Sequence, residues 1–218
     1  MQSEEKPTRV INHKTMRKGV GSIALLMPWV VVFLSGRPEA ELSSISISCW
    51  TDSRDIFVGS LIAVGFFLSA YNGAGGEKDR EYILSKFACV FAIFVAIFPT
   101  KGFSDLNVPA KWVVAVADTV GLIPQYIHYS AAILLFACLI ALMWFFSIRA
   151  KAKGRPGRAM FYRSVSILMG TGIVVIYLIG EILKLSDTTF WIEFWGLSLF
   201  GLGWLVAGSY KTEKVAGK

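Results

Sequence analysis

Cysteine and histidine are scarce in this chain, with three cysteines and two histidines in 218 residues. Cys89 and Cys138 fall within apolar runs, where a free thiol behaves as a small hydrophobic group, so we expect no disulfide framework. Zinc sites usually draw several histidine or cysteine ligands, and His13 and His128 lie in segments expected on opposite sides of a membrane. We therefore expect no bound metal.

Nucleotide-binding and catalytic motifs are also lacking. Gly73, Gly75 and Gly76 form a glycine-rich stretch, but the Lys-Ser/Thr pair that a phosphate-binding loop needs does not follow them. Nothing in the spacing of Asp105 and Asp118 relative to His128 defines a catalytic triad. The sequence favours a function without a cofactor, and one that is not enzymatic.

Charged residues make up 17% of the chain, against about 25% in ordinary soluble domains, while 55% of residues are apolar and the mean hydropathy is +0.58. Most of the apolar runs reach the roughly 17 to 25 residues that a helix needs to cross a bilayer. They fall at roughly 19–35, 56–71, 82–98, 127–148, 161–183 and 190–208. The pattern predicts an all-α integral membrane protein, a bundle of six transmembrane helices.

The basic residues predict the orientation of this bundle. Seventeen of the 22 lysines and arginines belong to the termini and to alternate loops. By the positive-inside rule, both termini are expected in the cytoplasm. The membrane domain is 19–210, the tails are 1–18 and 211–218, and a bacterial inner membrane is the expected location. The net charge of +7 is then explained by anionic lipid headgroups, and no nucleic acid partner is needed.

Two segments on the opposite side form an expected extracytoplasmic cap. Residues 107–121 are apolar on average, yet Lys111 and Asp118 make them too charged to span, which predicts a helix lying at the interface. Residues 44–48 alternate polar and apolar side chains, which predicts a short extended segment.

Ionisable residues in or beside membrane helices are costly, so each is a candidate for a functional role. The predicted topology brings five of them to the extracytoplasmic mouth: Arg54, Asp55, His128, Glu181 and Glu193. A ligand-binding cluster and a structural salt-bridge network are both open at this point. Asp52 with Asp55 also resembles a helix cap, and a carboxylate in the first turn of a helix is favoured by the helix dipole.

The segment 44–61, SISISCWTDSRDIFVGSL, resembles the signature of a family of uncharacterised bacterial six-span membrane proteins similar to the DUF998 and Frag1/DRAM/Sfk1-type proteins. The resemblance extends to 88–100 and 191–208 and departs at Ser48, Cys49 and Asp52. It implies a six-helix fold with cytoplasmic termini, and a lipid as the ligand class. The positions that carry it are Ser44, Ser46, Thr51, Arg54, Asp55, Phe57, Gly59, Pro99, His128, Glu193, Trp204 and Gly208.

These observations favour a protein that binds or senses a membrane lipid, with Arg54 contacting a phosphate. A small transporter or channel is the first alternative, although no internal repeat is visible. A lipid hydrolase ranks lower, because such an enzyme needs an activated nucleophile or a metal-bound water. A membrane subunit of a stress or defence complex also stays open. In that case the basic 149–163 loop could dock a cytoplasmic protein. A separate possibility is that this loop binds lipid headgroups.

Overall fold

The computed structural model describes residues 13–37, 42–73 and 80–209, and every regular element in these ranges is helical. The predicted tail 211–218 and most of the tail 1–18 lie outside the described residues. The elements are α1 His13–Phe33, a 3₁₀ helix η1 Ser46–Trp50, α2 Arg54–Ser69, α3 Arg80–Ile97, α4 Lys111–Thr119, α5 Pro124–Ala152, α6 Pro156–Leu183 and α7 Thr188–Gly208.

The six long helices pack in a ring. Each neighbours the next in the order α1, α2, α3, α5, α6, α7, and α7 returns to pack against α1. The apolar core fills the middle of this ring, where Leu142, Met143 and Phe200 are fully buried. The short α4 packs on α5 outside the ring.

Successive helices of the ring run in opposite directions. At one end of the bundle the indole of Trp29 in α1 packs edge-on against the phenyl group of Phe194 in α7. At the other end Gly208 of α7 lies beside the backbone of Lys18 in α1. We call the end with η1 and α4 the cap end. The other is the basic end, and its basic residues are Lys14, Arg17, Lys18, Arg80, Lys86, Arg149, Lys151, Lys153, Arg155, Arg158 and Arg163.

Glycine sets the crossing of α1 and α7. A Cβ atom on Gly21 would lie 2.7 Å from the backbone nitrogen of Leu205 and 2.8 Å from the carbonyl oxygen of Gly201. Both atoms belong to the main chain and cannot swing aside. Small residues at such a crossing let two membrane helices approach backbone to backbone, which fastens the first helix to the last.

Within the described ranges, four helices are long and apolar enough to cross a membrane: α1 from Lys14, α5, α6 and α7. Their length and composition are those of an all-α, multi-pass membrane protein. The predicted runs 56–71 and 82–98 also contain helices, α2 and α3. The first of these has 16 residues, and the second starts with charged residues.

A buried ion pair closes the basic end. Glu81 of α3 pairs with Arg149 of α5, and the hydroxyl of Tyr71 donates to the same carboxylate at 2.5 Å. Behind them the ring of Tyr71 packs edge-on against Phe146 and Trp204. A buried pair held by an additional hydrogen bond is the arrangement in which such charges are tolerated.

Two expectations for the cap end were wrong and one is confirmed. Residues 46–50 form the 3₁₀ helix η1, and 44–48 is not an extended segment. Asp52 does not cap α2, because Ser53 is the N-cap residue and makes no side-chain cap bond. A helix does form within 107–121, as α4.

Candidate functional site

The carboxylate of Glu193 is the most heavily hydrogen-bonded polar group at the cap end. Its Oε2 accepts the backbone N–H groups of Ile45 at 2.6 Å and Ser46 at 3.1 Å, and its Oε1 accepts the Ser46 hydroxyl at 2.6 Å. The side chain is 7% exposed. No cationic side chain among the described residues pairs with it, and two backbone N–H groups and one hydroxyl satisfy this buried carboxyl group instead.

The sequence of the cap explains why its donors point at Glu193. The Ser44 hydroxyl accepts the N–H of Ile47 at 3.0 Å, a local side-chain bond of the kind that starts a turn. This leaves the N–H groups of Ile45 and Ser46, at the entrance of η1, free for another acceptor. A further bond from Phe190 N–H to the Ser43 carbonyl, at 3.0 Å, fixes the cap on α7.

His128 is buried in the first turns of α5, with 1% of its surface exposed. Its Nδ1 lies 2.7 Å from the carbonyl oxygen of Phe98. Because a carbonyl only accepts, Nδ1 carries the proton. The imidazole thereby joins the end of α3 to the start of α5.

A groove lies beside these two residues, between α5, α6 and α7. Its volume is about 540 Å³, within the range of small-molecule pockets. We call it the lateral groove. Its polar end is formed by Ser44, Ser46, Thr100, His128, Tyr129, Thr189 and Glu193, and its apolar walls by Ala132, Ile133, Phe136, Ala137, Ile140, Gly170, Ile173, Val174, Tyr177 and Ile192.

The polar end is itself ordered by hydrogen bonds. The Thr100 hydroxyl donates to the phenol oxygen of Tyr129 at 3.0 Å, and the Thr100 carbonyl accepts the indole N–H of Trp50 at 2.8 Å. The Tyr129 hydroxyl keeps its own proton, so it can still donate to a ligand in the groove.

Arg54 and Asp55 line a different cavity. Both are exposed, and the space beside them, about 670 Å³, lies between η1, α2, the end of α3 and α4. Cys49, Trp50, Trp112 and Val113 also line it. We call it the Arg54 cavity.

The structure thus divides the five predicted site residues. His128 and Glu193 share the lateral groove, and Arg54 and Asp55 share the Arg54 cavity. Glu181 is exposed on α6 and lines neither cavity. All five lie towards the cap end, but the described residues do not place them in one cluster.

The lateral groove is lined by Ser44, Ser46, His128 and Glu193, and the Arg54 cavity by one thiol, that of Cys49. No group of three or more His, Cys, Asp or Glu side chains in the described ranges could hold a metal ion. Burial raises the pKa of the Cys49 thiol to about 12, so it is protonated at neutral pH and is not a nucleophile. The lateral groove offers hydrogen bonds and apolar surface, which suit binding.

Sequence reasoning missed several groove residues. Tyr129 and Thr100 are not among the site residues predicted from the sequence, and Ser46 is named there only in the alternating pattern and among the positions of the resemblance. The signal for Ser46 was the pairing of a serine-rich segment with a lone acid in the first turns of the last helix. For Tyr129 and Thr100 the chain carries no such signal, because their contact depends on how α3 meets α5.

Comparison of the chain with protein-family models, with curated proteins and with solved structures found no match.

Proposed function

We propose that this chain is a membrane protein with six crossings that binds an amphiphilic lipid in the lateral groove and catalyses no reaction. The observation that carries the proposal is the groove itself. The lateral groove is mostly apolar, and its polar side chains lie at one end. That division matches a lipid with a long apolar chain and a compact polar head.

The apolar walls are accessible from the side of the bundle. Ile133 is 70% exposed, Val174 56% and Tyr177 52%, so a lipid chain could enter from the surrounding bilayer. A lipid chain that moves from the bilayer into the groove exchanges one apolar environment for another, so close packing would hold it there. The polar end would provide selection.

The chemistry of the polar end selects the head. The described residues that line the groove include the carboxyl group of Glu193 and no lysine or arginine. A phosphate head would therefore find no cation there to offset its charge. Tyr129 and Thr189, which carry hydroxyl groups, also line this end of the groove. We therefore propose a head that carries hydroxyl or amine groups, which revises the expectation that Arg54 contacts a lipid phosphate in the same site.

The geometry of the bundle supports six crossings. His128 and Arg149 are 21 positions apart on α5, or about 31 Å along a helix, which equals the roughly 30 Å hydrocarbon core of a bilayer. Both α2 and α3 run antiparallel within the ring between α1 and α5, which are each long enough to span. Cytoplasmic placement of the basic end follows from the positive-inside rule, and a bacterial inner membrane remains our proposed location.

Lipid retention tests the proposal. The full chain is purified in mild detergent, and its bound lipids are counted by native mass spectrometry. Ala137→Trp places a large side chain in the space of the lipid chain, and bound lipid should fall roughly tenfold, which corresponds to about 1.4 kcal/mol of lost packing. Val175→Trp, on exposed α6 surface outside the groove, is the matched control and should change nothing.

The head group is tested by a second pair. Tyr129→Phe removes one hydroxyl from the polar end and should shift the classes of retained lipid, whereas Tyr126→Phe, on the same helix but outside the groove, should not. Arg54→Gln should also leave the retained classes unchanged. Equal lipid loss in Ala137→Trp and Val175→Trp, or none in either, would overturn the proposal.

A further inference from the structure

The basic end contains a smaller cavity that the lateral groove does not explain. Its volume is about 200 Å³, and we call it the basic cavity. Its polar lining residues are mostly cations from three helices and the α5–α6 loop. The lining residues are Arg17, Gly73, Phe146, Arg149, Ala150, Lys153, Arg155, Arg158, Tyr162 and Ala207.

The described residues that line the cavity include five cations and no carboxylate. Arg149 is held in place, because it pairs with Glu81 and its guanidinium carbon lies 4.6 Å from the centre of the Phe146 ring. Arg17 and Lys153 are therefore the cations on which the site depends, and an anion in the cavity would be attracted to both.

Arg17 shows that the polar groups around the cavity are not fully satisfied within the protein. Its Nε is buried and has no hydrogen-bond partner among the described residues. Its Nη1 donates to the Ala207 carbonyl at the long distance of 3.4 Å. The guanidinium also lies 5.3 Å from the centre of the Tyr71 ring. A buried donor without an acceptor costs about 1–3 kcal/mol, and an anion would supply the acceptor.

The N-terminus of α6 adds a partial positive charge near the basic cavity. This helix has 28 residues and begins at Pro156, with Arg155 as an N-cap residue that makes no side-chain cap bond. Helix N-termini favour anions, yet Arg155 and Arg158 place cations there. The N-terminus of α6 would therefore attract the same anion as Arg17 and Lys153.

We propose that the basic cavity binds a phosphate group. At about 200 Å³ it is smaller than the roughly 300–1,000 Å³ of pockets for drug-sized ligands, which favours a compact anion over a nucleotide. The arginine side chains match phosphate geometry with paired N–H donors. The phosphate belongs either to an anionic lipid headgroup or to free phosphate in solution.

Two probes distinguish these sources. The full purified chain is titrated with inorganic phosphate, and binding is followed by calorimetry. In parallel, native mass spectrometry compares phosphatidic acid with diacylglycerol of the same acyl chains, two lipids that differ by the phosphate. Binding of phosphatidic acid alone identifies a lipid headgroup, and binding of inorganic phosphate identifies a free anion. Binding of neither overturns the proposal.

Charge variants locate the site. The double variant Arg17→Gln with Lys153→Gln should lower the affinity for the probe by at least roughly tenfold, the effect of losing one charge-assisted hydrogen bond. The control is Arg163→Gln, which removes a cation from the same end. Arg163 lies over the ring of Trp144 and lines a different cavity, so its loss should leave affinity within about twofold.

If the double variant does not fold, the affinity for the probe is measured with Lys153→Gln alone. Lys153 is exposed, so its replacement should not prevent folding. Arg17→Lys gives a second check: it keeps the charge and removes Nε, so it should weaken the probe less than Arg17→Gln. Equal weakening by Arg163→Gln and Lys153→Gln would show non-specific attraction to the basic end and would overturn the site.

Discussion

The Ser46 hydroxyl donates a 2.6 Å hydrogen bond to Oε1 of Glu193, 147 residues further along the chain. This contact, with the two backbone bonds to Oε2, makes one carboxylate the anchor of the whole cap. Glu193 therefore has a structural task as well as a place at the polar end of the lateral groove. Separating these two tasks is the first requirement of any mutational study.

Loss of the Glu193 carboxylate should destabilise the protein. Glu193→Ala leaves two backbone N–H groups and one hydroxyl without an acceptor, so we expect a loss of about 3 kcal/mol in unfolding free energy. Ser46→Ala removes only the hydroxyl bond and should cost about 1 kcal/mol. Unfolding in mixed detergent micelles measures both. Glu181→Ala, at an exposed acid, is the control, and similar losses for Glu181→Ala and Glu193→Ala would contradict the anchor.

The ion pair at the basic end gives a second prediction. Glu81 is 4% exposed and Arg149 20%, so Glu81→Gln strands a largely buried guanidinium and should cost about 3–5 kcal/mol. Removing both partners, as Glu81→Gln with Arg149→Met, should cost less than the sum of the single changes. The same unfolding assay measures the cycle. Strict additivity would mean that the two groups do not depend on each other.

The helices were predictable because the bilayer imposes a simple rule on length and polarity, and each of the six apolar runs does contain a helix. The cap was less predictable. Alternation in 44–48 predicts a strand only if a neighbouring strand supplies hydrogen bonds, and here the acceptor is the side chain of Glu193 instead. The division of Arg54 from His128 also depends on tertiary packing, since both open a helix at the cap end and charge patterns place residues at an end without fixing their neighbours.

Thiol reactivity tests the burial of η1. The pKa of Cys49 rises from an ordinary value of 9.0 to about 12, chiefly through desolvation. In a chain with Cys89→Ala and Cys138→Ala, maleimide labelling at pH 8 should be roughly a thousandfold slower in the folded than in the unfolded protein, from the thiolate fraction alone.

The raised pKa of Cys49 also makes the unfolding free energy depend on pH. The folded state keeps the proton of the Cys49 thiol, so this contribution is complete below pH 9 and is lost as pH rises from about 9 to about 12. Rapid labelling of the folded protein at pH 8 would show that η1 is open to solvent.

Labelling from the two sides of the membrane tests the number of crossings. Single cysteines at Arg54, Arg80 and Lys151, all exposed, are introduced into a chain whose native cysteines are replaced by alanine. Six crossings predict that an impermeant maleimide reaches position 54 from outside, and positions 80 and 151 after permeabilisation. Labelling of positions 54 and 80 from the same side would show that α2 and α3 do not cross.

The crossing of α1 and α7 supplies a matched pair of glycine substitutions. In Gly21→Ala the new methyl would lie 2.7 Å from the Leu205 backbone nitrogen, so the helices must separate, at a cost of about 1–3 kcal/mol. In Gly59→Ala the methyl meets no atom within 4 Å, and the better helix propensity of alanine should be neutral or stabilising by up to about 1 kcal/mol. Opposite signs in thermal unfolding are expected. A Gly21→Ala protein as stable as the parent would mean that close backbone contact does not hold the first helix to the last, and that the ring is closed by side chains such as Trp29 and Phe194 instead.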